Sequence, residues 1–285
     1  MSNVLIVAHH GRAEAAQLAR VAATWLADHG HRTWLLQPDA EAVGLPELSV
    51  PGELAATADL AVSLGGDGTV LRTVELVSAK GVPVIGVNVG LLGYLTEVEP
   101  IHLTSALERF FGGDFDVEER MMLSAVIAST SADVDGRSFR ALNELVVEKR
   151  SSGHTVRLLV SIGGSAFTSY AADGLIVATP TGSTAYSLSA RGPIVSPTHR
   201  ALLLTPVSPH MLFDRSLVLN PDEEIGIEVI GGRDAEVSVD GRHAAVLTEG
   251  DVVTCRSATE VARFVRFGEL HFHRILKAKF GLTDR

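Results

Sequence analysis

The sequence predicts two domains, an N-terminal α/β domain on a parallel, Rossmann-like sheet and a C-terminal all-β sandwich. Three observations predict this fold class. Strand-like and helix-like segments alternate as far as Gly112-Gly113, the apolar period changes to two from about Met121, and 285 residues are enough for two cores of ordinary size. The expected boundaries are 1–114 for the α/β domain, 115–260 for the sandwich and 261–285 for a tail helix.

Each element follows from its residues. Residues 4–8 are an unbroken apolar run, the pattern of a buried strand. Residues 14–29 carry Leu18, Val21, Ala22, Trp25 and Leu26 at helical spacing, with Gly30 as the stop. Residues 33–36 and 60–64 are the second and third strands, 70–79 a helix stopped by Gly81, and 84–87 the fourth strand. Leu103, Leu107, Phe110 and Phe111 mark a further helix. Strands separated by helices pair in parallel through right-handed crossovers, and ligands then sit beyond their carboxyl ends.

In the second half, short strands are expected at 123–128, 144–147, 156–162, 166–170, 175–178, 201–204, 224–230, 236–239 and 252–255. Gly163-Gly164 and Asp240-Gly241 read as two-residue hairpin turns between them. From Arg256 onward bases outnumber acids, and Phe272, Ile275, Leu276 and Phe280 form one helical stripe, expected to pack back on the first domain.

Composition excludes several classes. A formal charge of −10 argues against a general nucleic-acid binder, which needs clustered Lys and Arg. The single Cys255 excludes an intrachain disulfide framework, cannot alone make a zinc site and fits a reducing cytoplasm; it reads as a small core residue. No apolar stretch approaches the roughly 18 to 20 residues that cross a bilayer, and 4–8 is too short for a signal-peptide core. A cytoplasmic protein without membrane or nucleic-acid partners is the expectation.

Gly65-Gly66-Asp67-Gly68-Thr69, directly after the third strand, is the most informative motif. Its glycines remove side-chain bulk from a strand-to-helix turn, so a phosphate or ribose can approach the backbone beside the Asp67 carboxylate. Taken alone, Asp67 is equally an N-cap. A second block, Asp173-Gly174 through Thr179-Pro180-Thr181-Gly182-Ser183-Thr184-Ala185-Tyr186 to Ser189, offers hydroxyls, backbone amides and a ring, a nucleoside-sized set of contacts; taken alone it is also an ordinary polar turn. Walker A, protein-kinase His-Arg-Asp and His-Glu-x-x-His patterns are absent, and no metal-ligand spacing is found.

With Asn143-Glu144 between them, these two motifs strongly resemble the NAD kinase family, in which all three occur in this order. The resemblance runs from Val4 through the tail. It implies an NAD site between an α/β domain and a β-sandwich. The implied reaction is phosphorylation of the adenosine-ribose 2'-hydroxyl of NAD by ATP, with Mg²⁺ or another divalent cation arriving on the triphosphate. Lipid kinases share the Gly-Gly-Asp-Gly element but lack the Thr-Pro-Thr-Gly-Ser-Thr-Ala-Tyr block.

By matching position, Asp67 resembles the general base and Gly68 the point of close dinucleotide approach. Arg72 matches a position near the phosphates, or is a surface arginine, and Tyr94 keeps a ring where many relatives carry Phe. Asn143 and Glu144 resemble the pair that holds ribose hydroxyls. His154 and Ala171 match positions lining the dinucleotide, Asp173 the acceptor for the nicotinamide carboxamide, and Thr181 a contact position. The run Thr184, Ala185, Tyr186, Ser187, Leu188 and Ser189 resembles the adenine- and ribose-facing segment. Asp240 and Arg242 match a late-strand position near the site, although Asp-Gly is also a plain turn, and Pro206-Val207-Ser208-Pro209-His210 departs from the usual family sequence. His9-His10-Gly11-Arg12 either faces the triphosphate or is a polar strand end. A homodimer or homotetramer is implied. Two other readings stay open: a lipid or sugar kinase using the same base, and a non-catalytic NAD(H) or NADP(H) sensor that keeps residues 173–189 without needing Asp67.

Overall fold

The computed structural model describes residues 1–91, 93–268 and 272–282. Its first part runs β1 (Asn3–Ala8), α1 (Ala13–Asp28), β2 (Arg32–Leu35), α2 (Gln37–Val43), α3 (Gly52–Ala55), β3 (Leu60–Gly65), α4 (Asp67–Val77), β4 (Pro83–Asn88) and α5 (Leu103–Phe111). Then come β5 (Asp116–Ala128), β6 (Ser138–Ala141), β7 (Glu144–Lys149), β8 (Val156–Ile162), β9 (Ser165–Ala172), β10 (Gly174–Ala178) and α6 (Tyr186–Ser189). The last elements are β11 (Leu202–Val207), β12 (Leu217–Leu219), β13 (Ile225–Ile230), β14 (Ala235–Val239), β15 (Arg242–Leu247), β16 (Val252–Arg266) and α7 (Phe272–Phe280). Two compact units emerge, residues 1–119 with 260–285, and residues 120–259.

In the first unit the strands lie in the order β2-β1-β3-β4, all parallel, with Val4 opposite Leu60 and Val62 opposite Ile85. Arg263 and Phe264 of β16 add a parallel strand beside β4. Val4 to Ala8 have no solvent exposure, as their unbroken apolar pattern requires. The helix at α1 is where the periodicity puts it, but its buried face is Ala15, Ala19, Ala22, Ala23 and Leu26, with Val21 exposed. That face is made mostly of small side chains, and bulkier Trp25 stacks at the flank on His29 and Phe111. Helix α2 has no counterpart among the expected elements; Pro38 lies in its first turn, where the missing N–H costs no hydrogen bond.

The second unit is a two-layer antiparallel structure. One sheet runs β12-β11-β10-β7-β14-β15; the other places β13 between β8 and the Val252–Cys255 end of β16, with β9 beyond β8. Leu145, Val147, Leu175 and Val177 of the first sheet share one core with Leu158, Val160, Ile225 and Ile227 of the second. Alternate residues Val146, Ile176 and Leu203 face the opposite way and are covered by Ala190 and Val195. Both faces of β10 are therefore buried, which explains its continuous apolar run. Both expected hairpin turns are present, with φ of 58° and 77° at Gly163-Gly164 and 46° and 77° at Asp240-Gly241.

Three differences stand out. β5 begins at Asp116, well before the expected 123–128. β6, β12 and β15 were not expected; they are short or half-exposed, so their alternation is weak. Most of all, β16 continues to Arg266 through residues read as tail, with Ala258, Ala262 and Phe264 buried. The helix of the tail is α7, and its Lys279 lies 4.4 Å above the Tyr94 ring. Cys255 is buried, its thiol pushed up to about 12 by desolvation, as befits a core residue.

Candidate functional site

In the first unit the strand order reverses between β1 and β3, since the chain moves from β1 to one side and from β3 to the other. Such switch points open a crevice at the carboxyl ends of the strands. A cleft of about 600 Å³ lies there, lined by Ala8 to Arg12 after β1 and by Gly66, Gly68, Thr69 and Arg72 after β3. Gly65 is required by close packing, because a Cβ there would stand 2.2 Å from Thr69 Oγ1. Gly68 has open space around it, so nothing hinders approach to that backbone.

Asp67 is the first residue of α4, with Gly66 at the cap position. Its carboxylate does not cap its own helix. Oδ2 accepts from the Tyr94 amide at 2.9 Å and Oδ1 from the Leu95 amide at 3.0 Å. Gly93 permits this, since a Cβ at that position would fall 2.1 Å from Oδ1. The carboxylate is thus aimed by a loop 27 residues away in sequence. Burial, with Asp67 beside it, raises the Tyr94 phenol above its ordinary value, so that ring stays neutral.

Arg72 sits one turn further along α4 and is held by α2 and the end of β1. Its Nη2 donates to Asp39 Oδ1 at 2.6 Å and to the Ala8 carbonyl at 2.7 Å, while Nη1 lies 3.1 Å from His10 Nε2. Arg12 donates from Nη1 to the Val89 carbonyl. His9 to Arg12 therefore line the cleft, and the polar residues of that strand end are not simply solvated.

In the second unit Glu144 opens β7 directly after Asn143, and the pair is gripped from two sides. On one side Thr179 donates from its backbone to the Asn143 carbonyl at 2.9 Å and from its hydroxyl to the Leu142 carbonyl. Gly182 packs so tightly there that a Cβ would stand 2.1 Å from the Asn143 oxygen. On the other side the Asp240 carboxylate accepts the amides of Leu142 at 2.8 Å, Asn143 at 2.8 Å and Glu144 at 3.1 Å. Burial, and after it the Asp240 charge, pushes the Glu144 carboxyl up to about 8. Glu144 Oε2 and Thr181 Oγ1 are buried without partners among the described residues.

Thr184, Ala185, Tyr186, Leu188 and Ser189 form the surface of the turn and short helix after β10, whereas Ser187 is fully buried with its hydroxyl 3.1 Å from Thr205 Oγ1. Asp173 pairs with Lys149 Nζ at 2.6 Å, and the Ala171 carbonyl accepts from the His210 amide. His154 is exposed and lines a recess with Lys149, Arg150 and Arg233. Arg242 is exposed at the start of β15. Ser208 is exposed with a φ of 45°. The sequence did not single out Asp39 or Gly93, whereas Thr179 stands in the polar block after β10 and acts by holding the Leu142 and Asn143 carbonyls. Gly93 carries a signal as the second glycine of Gly90-Leu91-Leu92-Gly93. Among the described residues no group of three or more His, Cys, Asp or Glu is arranged to hold a metal ion.

Two family models match the chain: the ATP-NAD kinase N-terminal domain over residues 4–115 and the ATP-NAD kinase C-terminal domain over residues 142–267. An NAD kinase of Heliobacterium modesticaldum is 44% identical over 281 residues, covering 98% of each chain. One of Citrifermentans bemidjiense is 38% identical over 290 residues, covering 100% of each. The crystal structure of yeast NADH kinase complexed with NADH superimposes with a TM-score of 0.92 at 26% identity, covering 100% of this chain and 89% of that one. An NAD kinase from Archaeoglobus fulgidus shares the fold, with a TM-score of 0.73 at 24% identity over 99% of this chain and 98% of that one. A Gly-Gly-Asp-Gly α/β unit joined to an antiparallel β unit thus defines a nucleotide kinase class. The chain belongs to the ATP-NAD kinase family.

Proposed function

We propose that this chain transfers the γ-phosphoryl group of ATP to the adenosine-ribose 2'-hydroxyl of NAD, giving NADP and ADP, with Asp67 as general base. The observation that carries the reading is the Asp67 carboxylate, fixed by two loop amides and flanked by Gly66 and Gly68 of the switch-point cleft. A secondary hydroxyl is a poor nucleophile at neutral pH. A fixed carboxylate takes its proton as the new O–P bond forms and the bond to ADP breaks, worth about 10²- to 10⁴-fold.

The cleft at the ends of β1 and β3 suits the triphosphate, through the amino end of α4, Arg72, His10 and Arg12. Mg²⁺ enters with ATP as part of the substrate. In the second unit, Asn143 and Glu144 are suited to a ribose diol, since burial pushes the Glu144 carboxyl up to about 8 and a protonated carboxyl both donates and accepts. The unpartnered Glu144 Oε2 and Thr181 Oγ1 are polar atoms that nucleotide hydroxyls would satisfy. Tyr186 offers an exposed ring for adenine. Gly68, Tyr94, His154, Ala171, Asp173, residues 184–186 with 188–189 and Arg242 complete the proposed contact set by their match to the family, whereas Ser187, buried against Thr205, packs that segment and is not itself a contact. Asp240, with its carboxylate engaged by three amides, serves by bracing Asn143 and Glu144. Cytoplasmic location accords with the lone buried Cys255, and a homodimer or homotetramer with the family.

The test offers labelled ATP and Mg²⁺ with NAD, a sphingoid base or fructose 6-phosphate to the purified protein. Label should appear in NADP alone. A labelled lipid or sugar phosphate would favour the other kinases, and dinucleotide binding without transfer would favour a sensor.

A further inference from the structure

We propose that Asp39 is a positioning residue for the phosphoryl donor, acting through Arg72 without touching the donor itself. The proposal rests on the reading of the switch-point cleft as the donor site.

Asp39 lies in the first turn of α2 and has no solvent exposure. A carboxylate so placed is costly unless it is paired and hydrogen-bonded. Its Oδ1 collects the Ala8 amide at 2.9 Å and Arg72 Nη2 at 2.6 Å, and lies 3.3 Å from His10 Nε2. Arg72 Nη2 returns to the Ala8 carbonyl, so the carboxylate, the guanidinium and both polar groups of Ala8 form one closed set at the end of β1. Arg72 is 23% exposed and His10 45%, and both line the cleft that Asp39 itself does not line.

The arrangement grips the guanidinium at Nη2 and leaves Nη1 beside His10 on the cleft side. An arginine has many rotamers to lose on meeting a phosphate; one already held in place loses fewer. Asp39 therefore preorganises the cation, and it anchors the strand end from which His9 to Arg12 project. Its second oxygen, Oδ2, is buried without a partner among the described residues, so an asparagine amide placed there breaks none of these bonds. Asp39→Asn keeps the acceptor and removes the charge; Asp39→Ala removes both.

The experiment compares steady-state kinetics of wild type, Asp39→Ala, Asp39→Asn, Arg72→Met and the Asp39→Ala/Arg72→Met double variant. Asp39→Ala should raise KM for ATP about tenfold, as expected for loss of a charged hydrogen bond, and leave KM for NAD within about twofold. Asp39→Asn should recover most of that loss. The double variant should be no worse than Arg72→Met alone, since the two residues act as one unit. A purely structural role predicts a lower Tm with both KM values unchanged, or both changed alike, and either result overturns the proposal. Calorimetric titration with MgATP reads the same contrast without turnover. Absence of NADP formation by wild type would thus sink the kinase reading alone, whereas equal ATP affinity of wild type and Asp39→Ala would overturn the role of Asp39.

Discussion

A carboxylate offers about four acceptor positions, and the Tyr94 and Leu95 amides occupy one on each oxygen of Asp67, leaving lone pairs for a substrate proton. Its aim depends on Gly93. Gly93→Ala places a methyl group against Oδ1 and should turn the carboxylate away; a displacement of that order costs about 10²-fold in turnover. NAD affinity, measured by calorimetry, should stay near wild type, and unchanged turnover would show that the loop does not aim the base. Glu144 makes a different prediction. Burial raises its carboxyl from 4.5 to about 8, so between those values the folded chain holds a proton that the unfolded chain releases. Its contribution is fully present below about pH 4.5 and is lost as pH rises towards 8. Glu144→Gln should therefore flatten the fall of Tm across that window. An identical pH dependence in both proteins would mean that Glu144 ionises normally.

At the scale of elements, the start of β7 is a clamped strand, held by the turn after β10 and by the hairpin at Asp240. Gly182→Ala forces a Cβ onto the Asn143 carbonyl; such overpacking costs about 1–3 kcal/mol, and chemical denaturation should show it together with a raised KM for NAD. A variant with unchanged KM would separate the turn from dinucleotide binding. Strands buried on both faces and glycine-bounded helices were readable in the sequence because one run of residues carries the whole signal. Gly-Gly-Asp-Gly and Thr-Pro-Thr-Gly-Ser-Thr were readable for the same reason. What Asp39 and Asp240 do was not, since their partners lie 33 and 96 to 98 residues away. Helix α2 hid behind a proline that opens it, and the long end of β16 behind charges that alternate with its buried residues.

At the scale of the molecule, a chain of net charge −10 must bind polyanions through local cations and helix amides, not through its overall field. A ligand that meets only the folded state adds about 2.7 kcal/mol at a hundred times its Kd, so saturating NAD should raise Tm even without ATP. No rise would argue against a preformed dinucleotide site. The central claim is that Asp67 removes the proton from the acceptor hydroxyl. The most direct measurement sets NADP formation by Asp67→Asn beside its NAD affinity. Retained binding with turnover lowered by about 10²- to 10⁴-fold is the predicted result, and turnover equal to wild type would contradict it.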